Sequence, residues 1–261
     1  MGLKQLTMTP QEAILSVNEV GVRFVRTDGT PAEALRSVSF KVFPGEFVCI
    51  LGRSGHGKTT LLNVVAGLLR VHRGEVRVMD RPVRGPGADR GVIFQQDAVF
   101  PWMRVEENVA FGLRVRRFSK RERLRIAREH LALVDLTSVG RAWPRELSGG
   151  MRARVAIASV FANDPPILLA DEPFGSLDYV TRRQLQMVLH DLWRQTAKTV
   201  LFVTHDVDEA LMLGTRVIVV KNGNIVEDRA INLPTPRTDD VIATPPGLAL
   251  KHLLLRQIGL E

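Results

Sequence analysis

From Ile14 to Val25 the chain alternates apolar and polar positions (ILSVNEVGVRFV), the period of two of a strand with one buried face. A turn segment, TDGTPAEA, leads to a second such run, LRSVSFKVF. Pro44-Gly45 marks another turn, and EFVCILG follows as a continuous apolar run of the kind buried on both faces. TTLLNVVAGLL has helical spacing and is expected to stop near the charged HRGE; shorter strands are expected around VRVMD and GVIF. From about Phe100 to Glu146 the pattern is helical and basic with no convincing strand, and RVRRFSKRERLRIAREH, Arg114 to His130, reads as one helix with a solvated basic face. Helix from about Gly149 to Asn163, strand PILLAD, helix VTRRQLQMVLHDLWRQT, strand TVLFVTH, helix DVDEALMLG and strand RVIVVKNG then alternate. That order predicts a mixed or parallel sheet with crossover helices, hence an α/β fold, with an N-terminal antiparallel β region from the first two strand-like runs. After Asp228 come scattered prolines and a last short helix, GLALKHLLLRQIG. The expected organisation is one unit over 1–261: a core of 14–99 and 147–227, a helical insertion subdomain at 100–146 and a tail at 228–261.

Composition narrows this picture without redirecting it. With 45% hydrophobic and 25% charged residues in a chain of 261, an ordinary globular protein is expected. The longest apolar runs fall far below the roughly 18 residues of a membrane span. MGLKQLTMTPQEAILSV has no charged leader followed by an apolar block, so no export signal is expected. The single cysteine, Cys49, cannot form an internal disulfide and sits in an apolar run, as a buried thiol in a reduced, cytoplasmic compartment would. The net charge of +8 fits nucleic acid, an acidic membrane surface or phosphate-bearing ligands. A set of aromatics interleaved with the basic stretch is missing, and the only tyrosine, Tyr179, lies elsewhere, so no direct nucleic-acid contact is expected.

Residues Gly52 to Thr59 read GRSGHGKT, a complete G-x-x-x-x-G-K-[ST] pattern directly after a strand and before a helix. A strand ending at a helix N-terminus aims several backbone N–H groups, and the positive end of the helix dipole, at one spot. Gly52, Gly55 and Gly57 let the backbone wrap a phosphate, Lys58 reaches the β- and γ-phosphates, and the Thr59 hydroxyl ligates Mg²⁺. With Arg53, Ser54, His56 and the following Thr60, these residues form the expected nucleotide-binding set. The apolar strand ILLA ends in Asp171-Glu172, which puts a carboxylate pair at the C-terminal edge of the sheet beside that loop. Asp171 is expected to hold Mg²⁺ through water, and Glu172 to orient and deprotonate an attacking water. A second carboxylate beside the metal ligand points to hydrolysis.

A second anion-binding helix start follows from LSGGM, Leu147 to Met151. One catalytic site does not need two phosphate cradles, so this one is expected to serve a nucleotide held by another subunit. With these motifs the chain resembles the nucleotide-binding subunits of ABC transporters, from about Ile14 to Glu227: GRSGHGKT matches the Walker A loop of that P-loop NTPase fold, LSGGM the signature and ILLADE the Walker B strand. The resemblance implies roles that spacing alone leaves anonymous. Gln95 matches a glutamine that touches Mg²⁺ and the water and reports nucleotide state to membrane subunits. Asp178 matches the residue that couples two sites across a dimer, His205 a histidine on the γ-phosphate, and Phe24 an aromatic stacked on adenine. Departures are Met151 where glutamine is commonest, and Ser159 where an arginine is more frequent. Gln95 is chosen over Gln96 because it follows Phe94 directly.

The phrases FPWMRVEENVAFGL, LSGGMRARVAIA and DEPFGSLDYVTR are most similar to the subgroup that powers uptake of nitrate, sulfonates and taurine. There, Pro101 and Trp102 line a groove that receives a helix of the membrane subunit. The resemblance implies an ATP- and Mg²⁺-dependent homodimer, with each nucleotide between one chain's phosphate loop and the other's Ser148, Gly149, Gly150 and Met151. It also implies permease subunits, indirectly a periplasmic or surface solute-binding protein, and a peripheral position on the cytoplasmic face of the plasma membrane. The alternative is a soluble, non-transport ATPase of the same family acting on ribosomes or DNA; the second cassette or long coiled-coil insertion usual there is not seen. A nucleotide-gated module with little turnover is disfavoured by Glu172 and His205, and a small-molecule kinase leaves LSGGM without purpose.

Overall fold

A computed structural model describes residues 12–25, 27–95 and 99–261; the first eleven residues of the region read for an export signal, and Gln96, lie outside the described residues. Two sheets enclose a helix. The first is antiparallel, in the order β2 (Pro31–Val42), β1 (Leu15–Val25), β4 (Arg73–Val78), β5 (Arg81–Pro82). The second has the order β10 (Asn224–Ala230), β9 (Arg216–Lys221), β3 (Phe47–Leu51), β8 (Thr199–Thr204), β7 (Ile167–Asp171), β6 (Arg90–Ile93), and is parallel except for β10 against β9.

The continuous apolar runs divide their side chains between two cores because successive residues of a strand point to opposite faces. Val48 and Ile50 of β3, with Ile167 and Leu169 of β7, pack on α1 (Lys58–Ala66) and the antiparallel sheet. Phe47, Cys49 and Leu51, with Leu168 and Ala170, pack on α4 (Gly149–Ala162), α5 (Tyr179–Thr196) and α6 (Val207–Leu213). Fully burying one such side chain stabilises the fold by about 1.5–3 kcal/mol.

The expected strands and helices form, with differences of physical origin. β2 starts at Pro31, so the turn contracts to Thr27–Thr30, where Asp28 Oδ1 accepts from the Thr30 N–H at 2.9 Å. Helix α1 stops at Gly67, whose φ of 78° lets its N–H reach Asn63 and Val64 carbonyls; HRGE does not end the helix and instead enters β4. The basic stretch expected as one helix is two, α2 (Val105–Val115) and α3 (Lys120–Leu133). Arg117 turns the chain at a φ of 63°, and Ser119 with Glu122 closes a capping box that starts α3. On α3, Arg125 pairs with Glu129 at 2.6 Å and Arg128 with Glu106 at 2.9 Å, so part of the basic face is locally neutralised.

The last segment is built into the fold. β10 pairs with β9, and after it Ile231 and Leu233, then Ile242 of α7 (Asp239–Ile242) and Leu254 and Ile258 of α8 (Pro245–Ile258), join the core that holds Phe47 and Phe202. The Arg237 guanidinium bonds the carbonyls of Leu211, Gly214 and Ile231, fastening the segment to the end of α6. Among the described residues no helix is long and apolar enough to cross a membrane.

Candidate active site

Parallel pairing aligns the C-terminal ends of three strands. Leu51 of β3 lies opposite Thr204 of β8, and Val203 of β8 opposite Asp171 of β7. The three segments that leave these ends are the glycine loop, Glu172 and His205. The loop runs from β3 into the first turn of α1.

Its glycines are required for different reasons. A Cβ on Gly52 would stand 2.3 Å from the Val220 carbonyl oxygen, and one on Gly57 2.5 Å from that of Ala34, so these two are forced by neighbouring backbone. Gly55 has a φ of +81° and nothing within 4 Å of its Cβ position, which leaves open space on the loop's outer side. His56 donates its N–H to Arg53 at 3.3 Å, and its carbonyl accepts the Gly223 N–H at 3.1 Å. Gly223, in the turn between β9 and β10, was not marked by the sequence reading, yet it props the loop from beneath. The signal was present: Asn222-Gly223 between two apolar runs is a hairpin turn pair, and both residues have positive φ.

Lys58 is 4% exposed, donates to the Arg53 carbonyl at 3.2 Å and ion-pairs with Glu172 Oε1 at 3.2 Å. Its neighbour Thr59 donates its hydroxyl to Asp171 Oδ1 at 3.1 Å. Asp171 reaches Thr59 because it shares the strand face of Ile167 and Leu169, which pack on α1. Burial pushes the Asp171 carboxyl above the usual carboxylate range; adjacent Glu172 adds to that, while the Thr59 hydrogen bond and Lys58 oppose it.

Glu172 has a φ of 42°, in the left-handed region, and its N–H bonds the Val203 carbonyl at 3.0 Å. Backbone strain at a non-glycine residue is a recurrent property of functional sites. Its Oε2 lies 2.9 Å from Nδ1 of His205, whose ring is 58% exposed. One carboxylate therefore bridges a buried ammonium and a solvent-facing imidazole.

A buried network behind His205 escaped the sequence reading. Glu209 of α6 accepts from the Thr204 hydroxyl and, at 2.9 Å, from Gln186 Nε2 of α5. Asp206 caps α6 by accepting the Asp208 and Glu209 N–H groups, while its own N–H donates to Thr204 Oγ1 at 3.0 Å. His205 is thus flanked on both sides by anchored residues. Burial pushes the Glu209 carboxyl up, against the lowering effect of its hydrogen bonds. The D-x-x-E spacing of Asp206 and Glu209 was the legible trace of this network.

Other candidates lie apart from this cluster. Gln95, just past β6, has its Nε2 3.9 Å from the Cβ position of Gly175 and, among the described residues, no hydrogen bond to Thr59 or Asp171. With Phe94, Gly149 and Ser176 it lines a cavity of about 650 Å³. Ser148 caps α4, its Oγ accepting the Met151 N–H at 3.3 Å, and Gly150 packs so tightly on α5 that a Cβ would meet Thr181 Cγ2 at 2.4 Å. Asp178 caps α5 through the Thr181 N–H at 3.0 Å, a bond that lowers its carboxyl. Phe24 is exposed, opposite Ala32 at the outer end of the β1–β2 hairpin, and Arg53, Ser54 and Gly55 are exposed on the rim of the loop while Thr60 is half-buried on α1. Among the described residues no group of three or more His, Cys, Asp or Glu gathers as a ready metal site. Thr59 and Asp171 nevertheless offer two oxygens at hydrogen-bond distance, the hard donor type that Mg²⁺ takes alongside phosphate.

Comparisons with known proteins show the family of the chain. The family model described as ABC transporter matches residues 35–175. The chain is 50% identical over 201 residues to the taurine import ATP-binding protein TauB of Mesorhizobium japonicum, covering 76% of this chain and 77% of that one. It is 44% identical over 222 residues to the nitrate import ATP-binding protein NrtD of Synechocystis sp., covering 84% and 83%. Among solved structures, the dimeric post-hydrolysis state of the ATP-binding cassette MJ0796 bound to ADP and Pi superposes with a TM-score of 0.75 at 32% identity, covering 84% of this chain and 99% of that one.

Proposed function

Because this chain belongs to the ABC transporter family and is one of its ATPases, we propose that it is the ATP-hydrolysing subunit of a membrane importer, working head to tail with a second copy of itself. The observation that carries the reading is the Glu172 carboxylate, 3.2 Å from Lys58 Nζ and 2.9 Å from His205 Nδ1 at the mouth of the glycine loop.

In this mechanism the loop N–H groups and Lys58 take the β- and γ-phosphates of ATP, with Arg53, Ser54, His56 and Thr60 completing the loop and Phe24 under the adenine. The γ-phosphate competes with Glu172 for Lys58, so nucleotide arrival releases the carboxylate. Glu172 then orients a water and takes its proton, and His205 contacts the γ-phosphate. Thr59, Asp171 and Gln95 are the residues that would hold Mg²⁺, which supplies neutralisation of phosphate charge when bound. Ser148, Gly149, Gly150 and Met151 serve the nucleotide of the partner copy, and Asp178 couples the two sites. A dimeric relative that holds ADP and Pi supports this pairing. A two-fold pair makes the interface isologous, and both subunit and ligand contacts then depend on the γ-phosphate.

The names of the taurine and nitrate relatives support a small anion, such as nitrate or a sulfonate, as the imported solute. The partners are integral permease subunits and, indirectly, a solute-binding protein, with this chain peripheral on the cytoplasmic face of the membrane. Exposed Trp102, tilted against Phe100 with centroids 5.5 Å apart, and the cavity beside Gln95 offer the permease a docking edge. The test combines phosphate release by the purified chain with recovery of its partners from detergent-solubilised native membranes. ATP turnover together with an integral membrane protein is expected. Ribosomes or DNA recovered without a membrane protein overturn the importer, and absence of turnover in the assembled complex overturns the mechanism.

A further inference from the structure

Away from the glycine loop, a cavity of about 350 Å³ opens between α5 and the chain's last segment. Helix α5 presents Arg183, Met187, His190 and Arg194 to it, residues spaced three or four apart and so on one helix face. The opposite face of α5, with Leu185, Leu189 and Leu192, is already spent on the core. Met212 and Leu213 of α6 and Pro236 supply further apolar wall, so the exposed lining is mostly apolar in area while charged side chains contribute to it, a mixture that suits a small-molecule site.

Its charges do not balance. Arg183 pairs with Asp239, and Arg194 shares the helix surface with Asp191, but Arg237 has no carboxylate within ion-pair distance among the described residues. Its guanidinium is held by three backbone carbonyls, and its Nε has no hydrogen-bond partner. Three arginines against two aspartates leave one positive charge uncompensated at a partly desolvated wall, where an opposite charge is worth more than in water.

We infer that this cavity binds a small organic anion with an apolar body, its charge drawn to the Arg194 and Arg237 side and its body against Met187, Met212 and Pro236. Burial pushes the His190 imidazole below its usual range, with Asp191 opposing that shift and Arg194 and Arg237 adding to it. The ring packs against Trp193 in a tilted arrangement, centroids 5.3 Å apart. The cavity also includes Gln186, whose amide donates to Glu209 in the network behind His205, so an occupant lies against groups that reach the hydrolytic centre.

The experiment uses the full chain labelled at its methionine methyl groups and titrated with 1-hexanesulfonate, with hexyltrimethylammonium and 1-hexanol as charge controls. Of the methionines among the described residues, only Met187 and Met212 line this cavity. Saturable shifts confined to those two signals are expected, with binding at least about tenfold weaker for the cation and the alcohol and in Met187→Glu and Arg194→Glu. Met187 is 67% exposed, so the first substitution leaves the core intact. Equal binding of cation and anion, shifts spread over the other methionines, unchanged affinity in both variants, or no saturation up to about 10 mM would each overturn the inference.

Discussion

Glu172 and Lys58 form an ion pair across the mouth of the glycine loop, Oε1 to Nζ at 3.2 Å, with side chains only 14% and 4% exposed. Before nucleotide arrives, the proposed base is held by the proposed phosphate ligand. Glu172→Gln keeps the shape but withdraws the competing charge. We expect ATP to bind at least as tightly as in the native chain while steady-state phosphate release falls by about 10²–10⁴-fold. Lys58→Ala removes the cation and is expected to lose ATP binding itself. Equilibrium binding of a fluorescent ATP analogue beside a phosphate-release assay separates the two, and equal loss of binding in both variants would count against the assignment.

Ser148 caps its own helix and makes no bond to the glycine loop of the same chain among the described residues. A bulky cation there, Ser148→Arg, is therefore expected to leave nucleotide binding by the monomer within about threefold, roughly 0.6 kcal/mol, while abolishing ATP-dependent dimerisation of an otherwise Glu172→Gln chain. Size-exclusion chromatography with light scattering, with and without ATP, reads this directly. Dimers that persist would mean that Ser148 serves no partner's nucleotide.

Burial raises Glu209 above its ordinary value of 4.5, so the folded chain holds that proton to higher pH than the unfolded chain does. Its contribution to stability is fully present below the unfolded value and is lost as pH rises through the folded one. Glu209→Gln removes this dependence. Urea unfolding from pH 4 upward is expected to give a native-minus-variant stability difference that falls with pH and then levels. A flat difference would mean that Glu209 is not desolvated as described.

Gly223 sits at a φ of +76°, and a Cβ there would lie 2.7 Å from the Ala34 carbonyl oxygen. Gly223→Ala is expected to destabilise the fold by about 1–3 kcal/mol through strain at the hairpin. It is also expected to weaken ATP binding, because the Gly223 N–H holds the His56 carbonyl of the loop. Thermal unfolding checks the first effect and nucleotide titration the second; an unaltered affinity would show that the loop keeps its form without this prop.

Much of the fold was legible because its signals are local. The apolar runs of β3, β7, β8 and β9 are short, flanked by turns, and separated by helical patterns, which specifies a parallel sheet before any contact is known. Lys58, Thr59, Asp171 and Glu172 were legible as chemistry and His205 only through the family resemblance, and the strand ends bring them together. Three features were missed. The Asn222-Gly223 pair that turns the chain from β9 into β10 was read as the end of a strand. The Ser119–Glu122 box that splits the basic stretch was hidden within a run of arginines that looked like one surface. The partnership of Glu209 with Gln186 spans 23 positions and depends on how α5 and α6 pack, which no local pattern encodes.

The alternation along β7 has a last implication, for how such a site can change over time. Ile167, Leu169 and Asp171 share the face toward α1, and Leu168 and Ala170 the other. Deleting or inserting one residue within this strand would invert that assignment, turning Asp171 away from Thr59 and exchanging both cores at once. Point replacement can retune the chemistry residue by residue, whereas a change of length here disables fold and catalysis in the same event. Length variation in descendants of this chain is accordingly expected in connections such as Thr27–Thr30, and the five positions of β7 should keep their count however far their identities drift.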